Sequence, residues 1–142
     1  MNTKTGKIAF LLIGLVMVAA FLAFLVKKNL NDPRNFAPVI TFTSDKFDFG
    51  TVKQGPTLEG IFEFKNTGQS TLVIKNVAPS CGCTGVIADE KKEFQPGESG
   101  NVKFTFKTEG RTGVNEKTIN VESNDPKTPT KTLKFTTNIT TE

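Results

Sequence analysis

The chain has 142 residues, with 18 Lys and Arg, 14 Asp and Glu, two Cys and no His, and a net charge of +4. This length predicts one compact domain with an appendage. Without histidine, the Ser-His-Asp and Cys-His nucleophile systems and the helical zinc motifs are excluded. No P-loop and no Gly-x-Gly-x-x-Gly pattern is present in the sequence. We therefore expect a non-enzymatic protein without a cofactor.

Residues 8–26 form an apolar segment without a single charged or polar side chain. As a helix it reaches roughly 28 Å, close to the hydrocarbon thickness of a bilayer. A cleaved signal peptide has a shorter apolar region and a small-residue cleavage site, and the residues after Val26 offer no such site. A soluble helix usually has a polar face. We predict an uncleaved transmembrane anchor, with cleavage and a soluble helix as the alternatives.

The net charge belongs to the flanks of this segment. Lys4, Lys7, Lys27 and Lys28 account for it, because the other 14 basic residues are matched by the 14 acidic ones. Lysines at such positions extend toward lipid headgroups. The remainder of the chain is formally neutral, so we expect no nucleic-acid partner.

The sequence divides into a tail (1–7), the anchor (8–26), a linker (27–38) and a β-rich domain (39–142). The two prolines of the linker favour extended backbone over helix. In the domain, apolar and polar residues alternate with a period of two, which is typical of half-buried strands. About seven such strands predict an immunoglobulin-like (Ig-like) β-sandwich. They start near Ile40, Phe47, Leu58, Leu72, Val102, Ile119 and Leu133.

Two compositional features refine this prediction. The chain has thirteen Phe and neither Trp nor Tyr, which predicts a Phe-rich core because Phe needs no hydrogen-bond partner. Residues 127–132 and 136–141 are rich in Lys and Thr, which favours a solvent-facing edge strand there. Such an edge is able to accept a strand from a partner protein.

Cys81 and Cys83 are the remaining candidates for chemistry. In an extended segment residues i and i+2 project to the same side, and Gly82 between them allows the backbone to bend or to approach closely. Three interpretations stay open: buried structural thiols, a redox pair or disulfide, and a soft-metal site. A bridge between residues i and i+2 is not the default geometry, and two sulfurs are too few for a closed zinc site.

Several motifs occur in a linked order along the domain: Phe47–Val52, Phe62–Gly68, Ser80–Thr84 (Ser-Cys-Gly-Cys-Thr), Pro96-Gly97 and Ser123–Pro126. This order resembles an uncharacterised bacterial domain-of-unknown-function family, related to Hydin-type and major-sperm-protein-type Ig-like domains. The resemblance implies an Ig-like sandwich, usually exported or surface-attached, for which no enzymatic activity is established. Members often carry a lipoprotein signal, whereas this chain has a plain apolar anchor. We therefore expect residence on the bacterial inner membrane, with the domain facing the periplasm.

Together these features predict a membrane-anchored, non-enzymatic Ig-like module that binds a protein or another component of the cell envelope. The first alternative is a thiol redox or soft-metal-binding protein acting through Cys81 and Cys83. The second is a structural spacer domain.

Overall fold

The computed structural model describes residues 3–30, 36–88 and 91–141. The chain divides into two units, residues 1–35 and 36–142. The second unit thus begins inside the predicted linker. Residues 1–2 of the predicted tail and residues 31–35 of the predicted linker lie outside the described residues.

The first unit contains helix α1 (Thr3–Leu30), which includes the whole predicted anchor. The side chains of residues 14–27 are all exposed, and the exposed fraction reaches 71% for Leu15 and 63% for Phe24. Among the described residues, no helix is both long and apolar enough to cross a membrane. The transmembrane anchor stays a prediction.

The second unit consists of two β-sheets, which confirms the predicted all-β sandwich. One sheet has the strand order β1-β3-β7-β5 and the other has the order β2-β9-β8-β4-β6. Neighbouring strands are antiparallel, except that β2 and β9 are parallel. The strands are β1 (Ile40–Phe42), β2 (Lys46–Lys53), β3 (Thr57–Asn66), β4 (Leu72–Pro79), β5 (Thr84–Ala88), β6 (Glu93–Phe94), β7 (Ser99–Lys107), β8 (Gly113–Ser123) and β9 (Thr130–Thr140).

Two details of the predicted strands are wrong. The sequence predicted about seven strands and missed β5 and β6, because β5 lacks a polar–apolar alternation and β6 has only two residues. The predicted edge strand is also wrong, since β9 lies between β2 and β8. Its threonines include Thr137, which is buried. The edges of the described sheets are β1, β5, β2 and β6.

The core lies between the two sheets and is rich in Phe, as predicted. Phe104 of β7 stacks on Phe62 of β3 with ring centroids 5.2 Å apart. It also contacts Phe135 of β9 in the opposite sheet at 4.7 Å. The buried Phe residues are Phe62, Phe64, Phe94, Phe104, Phe106 and Phe135. Edge-to-face and offset arrangements of such rings are favourable beyond the apolar area that they bury.

The segment that holds both cysteines connects the two sheets. β4 belongs to the five-stranded sheet and β5 to the four-stranded sheet, so the chain crosses from one layer to the other between Pro79 and Thr84. The crossing places Cys81 and Cys83 at a corner of the sandwich.

Candidate functional site

Backbone hydrogen bonds tie both ends of the crossing segment to the sheets. Ser80 N–H donates to the Thr118 carbonyl at 2.9 Å, and Thr118 N–H donates to Ser80 Oγ at 3.1 Å. At the other end, Lys107 N–H donates to the Cys83 carbonyl at 3.1 Å. Between them, Thr84 N–H donates to the Cys81 carbonyl at 3.2 Å and closes a turn. The cysteines are therefore held on a short, anchored turn.

A disulfide joins Cys81 and Cys83, whose Cα atoms are 5.3 Å apart. Both side chains are half-buried, and Cys83 packs against the core. The structure thus departs from the interpretation of both residues as buried free thiols. The backbone turns at Gly82, which is one of the two roles expected for this residue. The other role, a close approach, is not observed, because no atom lies within 4 Å of the place a Cβ would take.

Thr84 supplies a polar contact to the disulfide from the start of β5. Its Oγ1 lies 3.5 Å from Cys81 Sγ and 4.0 Å from Cys83 Sγ. A disulfide sulfur carries no hydrogen, so the hydroxyl is the donor in these weak contacts. Because Thr84 is buried, its hydroxyl marks the inner side of the disulfide, while the exposed Gly82 marks the outer side.

Among the described residues, no further metal ligand lies beside Cys81 and Cys83 to complete a soft-metal site. No group of three or more His, Cys, Asp or Glu side chains comes together there. In the disulfide the two sulfurs are also not thiolates, the form that binds soft metals. Metal binding at Cys81 and Cys83 would first require reduction of the disulfide.

A second feature, which sequence reasoning missed, is a cavity of about 180 Å³ beside the edge of β4. Its buried walls are apolar and come from strands far apart in sequence, while lysines lie at its rim. The lining residues are Phe64, Ile74, Lys75, Asn76, Val77, Lys91, Lys92, Phe94, Asn101 and Val102. No local pattern indicates this cavity, because β3, β4, β6 and β7 meet there only in the folded domain.

Of the three lysines at this rim, only Lys91 forms an ion pair with a described acidic residue. The Lys91 ammonium donates a hydrogen bond to the Glu98 carboxylate, and this bond holds the pKa of that carboxyl below its usual range. No ion pair within the described part of the chain involves Lys75 or Lys92. Within the described residues, the ammonium groups of Lys75 and Lys92 at this rim therefore have no acidic partner.

Two of the polar motif residues have structural roles. Asn66 is fully buried; its amide donates to the carbonyls of Ser70 and Phe94 at 2.8 and 2.9 Å, while its Oδ1 accepts from Gly68 N–H at 3.0 Å. Asp125 is also buried and accepts three backbone hydrogen bonds. These two side chains form hydrogen bonds with the backbone groups of turns, so they stabilise the fold and are not candidates for a functional site.

The family described as protein of unknown function (DUF1573) matches residues 40–139. This match confirms the predicted resemblance to a domain-of-unknown-function family. The role of Ser80–Thr84 as the signature of that family, and its relation to Hydin-type and major-sperm-protein-type domains, stay predictions. No curated protein matches the chain in sequence.

Solved structures similar to the chain share its fold. A protein of unknown function from Porphyromonas gingivalis is 22% identical with a TM-score of 0.65, over 76% of this chain and 51% of its own. PapD-like domain 7 of human CEP192 is 16% identical with a TM-score of 0.54, over 79% and 91%. The E. coli chaperone DraB is 11% identical with a TM-score of 0.51, over 73% and 57%.

These similarities support the fold alone, an Ig-like or PapD-like β-sandwich. The chain spans about half the length of the Porphyromonas gingivalis protein, of which it covers 51%. At such identities, the chemistry of each site has to be argued from the residues of this chain.

Proposed function

Since the chain belongs to the DUF1573 family of unknown function, we propose that it is a membrane-anchored, non-enzymatic Ig-like module that binds a protein or another envelope component. The anchor would hold the chain in the bacterial inner membrane with the sandwich on the periplasmic side. The observation that carries the proposal is the combination of an exposed apolar helix with a sandwich that has open strand edges.

The helix supports the anchoring part of the proposal. Residues 14–26 carry no polar side chain, and the exposed side chains include Leu15, Met17, Phe21 and Phe24. An apolar surface on every side of a helix is unfavourable in water, whereas the bilayer interior accepts it. The lysines that flank the apolar segment suit the two headgroup regions.

The sandwich supports the binding part. The sandwich offers few candidates for catalytic residues. The chain has no histidine, and the carboxylate of the buried Asp125 already accepts three backbone hydrogen bonds. The four edge strands of its described sheets, β1, β5, β2 and β6, leave backbone groups directed outward, and such edges are a recurring place for partner strands. Of the similar structures, DraB is itself described as a chaperone.

Membrane fractionation tests the anchor. We expect the full chain to stay in the membrane fraction after washing at high salt and alkaline pH. Val18→Lys combined with Leu22→Lys should move it to the soluble fraction, because lysine at the centre of a membrane helix costs about 3 kcal/mol. Val18→Leu with Leu22→Val is the matched control and should remain in the membrane. A wild-type chain in the soluble fraction would overturn the anchor.

Site-specific photo-crosslinking in cells tests the binding role. A photoreactive residue at Ile87, exposed on edge strand β5, or at Lys53 on edge strand β2 should yield a defined crosslinked species. A photoreactive residue at Leu15, in the proposed membrane anchor, is the comparison and should crosslink to lipid. If no sandwich position yields a reproducible partner, the binding module is the wrong interpretation and a spacer is the better one.

The disulfide favours a second candidate function, thiol–disulfide exchange through Cys81 and Cys83. In this reaction a dithiol of a partner protein attacks one sulfur, the bond between Cys81 and Cys83 breaks, and the partner ends as a disulfide. This chain gains two electrons and two protons as a pair of thiols. The half-buried sulfurs on an anchored turn are accessible enough for such an attack.

Thiol titration in the native state distinguishes this candidate from a structural role. In the exchange function, a thioredoxin-like dithiol reduces the pair without denaturant, and both thiols then react with maleimide. The folded chain should also pass its disulfide to a reduced model protein. If reduction requires denaturant, or if Cys81→Ser with Cys83→Ser changes only the stability, the exchange function fails.

A further inference from the structure

We propose that the cavity beside β4 is a docking site for an extended peptide strand with an apolar residue flanked by acidic residues. This inference rests on the proposed binding function and names where, and to what chemistry, the module binds. Three observations point to this one occupant: the apolar cavity, the two lysines at its rim that pair with no described acidic residue, and the edge of β4 beyond Ile74, which no described strand pairs with.

The cavity sets the size and the polarity of the inserted group. Phe64, Phe94 and Val102 form part of its wall, and each is 3% exposed or less. A volume of about 180 Å³ compares with the roughly 150 Å³ apolar cavity that accommodates benzene. A single large apolar side chain therefore fills the site, whereas drug-sized ligands usually need more than about 300 Å³.

The charges at the rim set the neighbours of that apolar residue. Lys75 and Lys92 line the opening and lie in no ion pair of the described residues. Lys91 also lines it, but its ammonium already binds Glu98. Carboxylates on either side of the inserted residue would complement the two free ammonium groups, and like charges there would be rejected.

The edge of β4 supplies the backbone partner. β6 pairs with Leu72 and Val73 of β4, and Ile74 N–H donates to the Lys92 carbonyl at 2.8 Å. Beyond Ile74, no described strand pairs along that edge of β4. On the opposite side of β4, Ser80 N–H bonds to Thr118 and β8 pairs with β4 up to Pro79. Backbone groups alternate along an antiparallel ladder. Val77 therefore directs its N–H and C=O away from β8, beside the cavity that it lines.

These positions agree with one mode of recognition, strand addition. Main-chain hydrogen bonds to Val77 provide a general attraction, and the side-chain pocket and the rim charges provide the selectivity. A hydrophobic small molecule would fill the cavity without using the edge. A nucleic acid would use the lysines without using the apolar walls.

A binding experiment on the full chain in non-ionic detergent micelles tests the site. The probe is the labelled peptide acetyl-Thr-Glu-Phe-Glu-Thr-amide, titrated by fluorescence anisotropy. We expect saturable binding that weakens with salt and slower hydrogen exchange at the Val77 amide. Replacing Phe by Ser or both Glu by Lys in the peptide should abolish binding, and N-methylation of the peptide backbone should weaken it.

Variants with matched charge locate the site. Lys75→Glu with Lys92→Glu should weaken binding roughly tenfold or more, as expected for reversal of two rim charges. Lys65→Glu with Lys107→Glu changes the net charge equally at exposed positions outside the cavity and should leave binding unchanged. Equal effects of the two double variants, or binding that ignores the Phe, would overturn the proposal.

The test of the docking site and the test of the proposed binding function can give different results. A partner that crosslinks in cells to β2 or β5, combined with no peptide binding beside β4, overturns the docking site and leaves the binding module intact. The absence of both overturns the two together.

Discussion

At the scale of single residues, the buried carboxylate of Asp125 has a structural role, because it accepts backbone hydrogen bonds from two segments of the chain. Its Oδ2 accepts a hydrogen bond from Ile40 N–H at 3.0 Å, and its Oδ1 accepts from Lys127 and Thr128 N–H at 2.8 and 3.2 Å. The side chain therefore joins β1 to the loop between β8 and β9. Backbone donors compensate the loss of solvation that burial imposes on the charge.

Asp125→Asn should lower the free energy of unfolding by about 1–3 kcal/mol, because the new amide NH₂ would face an N–H donor and leave it buried without a partner. Chemical denaturation followed by far-ultraviolet circular dichroism measures this, since the chain has no Trp or Tyr. Glu122→Gln is the matched control at an exposed position of β8 and should be nearly neutral. An equal effect of both would refute the structural role of Asp125.

The pair of Asp45 and Lys131 gives a prediction about pH. Lys131 Nζ donates to Asp45 Oδ2 at 3.0 Å, and this hydrogen bond lowers the pKa of Asp45 from its ordinary value of 3.8. A lowered folded-state pKa means that the stabilisation is present above about pH 4 and is lost as the pH falls through the lowered pKa. Both groups are exposed enough for salt to weaken the effect.

Lys131→Met should therefore return the pKa of Asp45 toward 3.8, measured by a carboxyl chemical-shift titration. Lys134→Met is the control, because the Lys134 ammonium pairs with Glu116 instead. An unchanged titration in Lys131→Met would show that the pair does not persist in solution.

At the scale of elements, the packing of β3 on β7 depends on a glycine. Gly60 lies opposite Phe104 in the register of these strands, and a Cβ at Gly60 would approach Phe104 Cε1 to 2.5 Å. The Phe104 ring lies against Phe62 and Phe135 and is 1% exposed. Glycine here provides room for the central ring of the core.

Gly60→Ala should destabilise the sandwich by about 1–3 kcal/mol, the usual cost of overpacking a core. Gly82→Ala is the control, because nothing lies within 4 Å of its Cβ position and its φ is not positive. We expect a change within about 1 kcal/mol there. Thermal unfolding of the two variants measures the difference, and equal melting temperatures would contradict the packing argument.

At the scale of the whole molecule, the buried hydrophobic residues of the described chain all lie between Ile40 and Ile139. Residues 37–39, before β1, also join the sandwich, since Gln69 N–H donates to the Ala37 carbonyl at 3.1 Å and Thr67 N–H donates to the Val39 carbonyl at 2.9 Å. The second unit thus contains its own core and its own N-terminal hydrogen bonds.

A chain that begins at Phe36 should accordingly fold without α1. One that begins at Ser44 lacks β1, the buried Ile40 and the main-chain donor to Asp125, and should be less stable by at least about 2 kcal/mol. Dispersion of the amide resonances and denaturant midpoints compare the two. If the chain from Phe36 is unfolded, the division into two independent units is wrong.

The sequence alone determined the class of the fold and the faces of its strands. The pleat turns every second side chain inward, so the alternation around Phe62, Phe104 and Phe135 predicted the core without knowledge of strand order. It also indicated the apolar segment, and it excluded histidine-dependent catalysis by composition. These properties depend on neighbours within a few residues, which the linear sequence displays.

Only the tertiary structure decided the arrangement of the strands and of the candidate sites. The interior position of β9 follows from its pairing with β2, more than 80 residues away. Such long-range register leaves no signal in the local periodicity. The Cys81–Cys83 bridge depends on a turn between two sheets, since extended backbone would not favour it. The cavity joins Lys75 and Lys92 to residues of four strands, and such a surface exists only after the strands have packed.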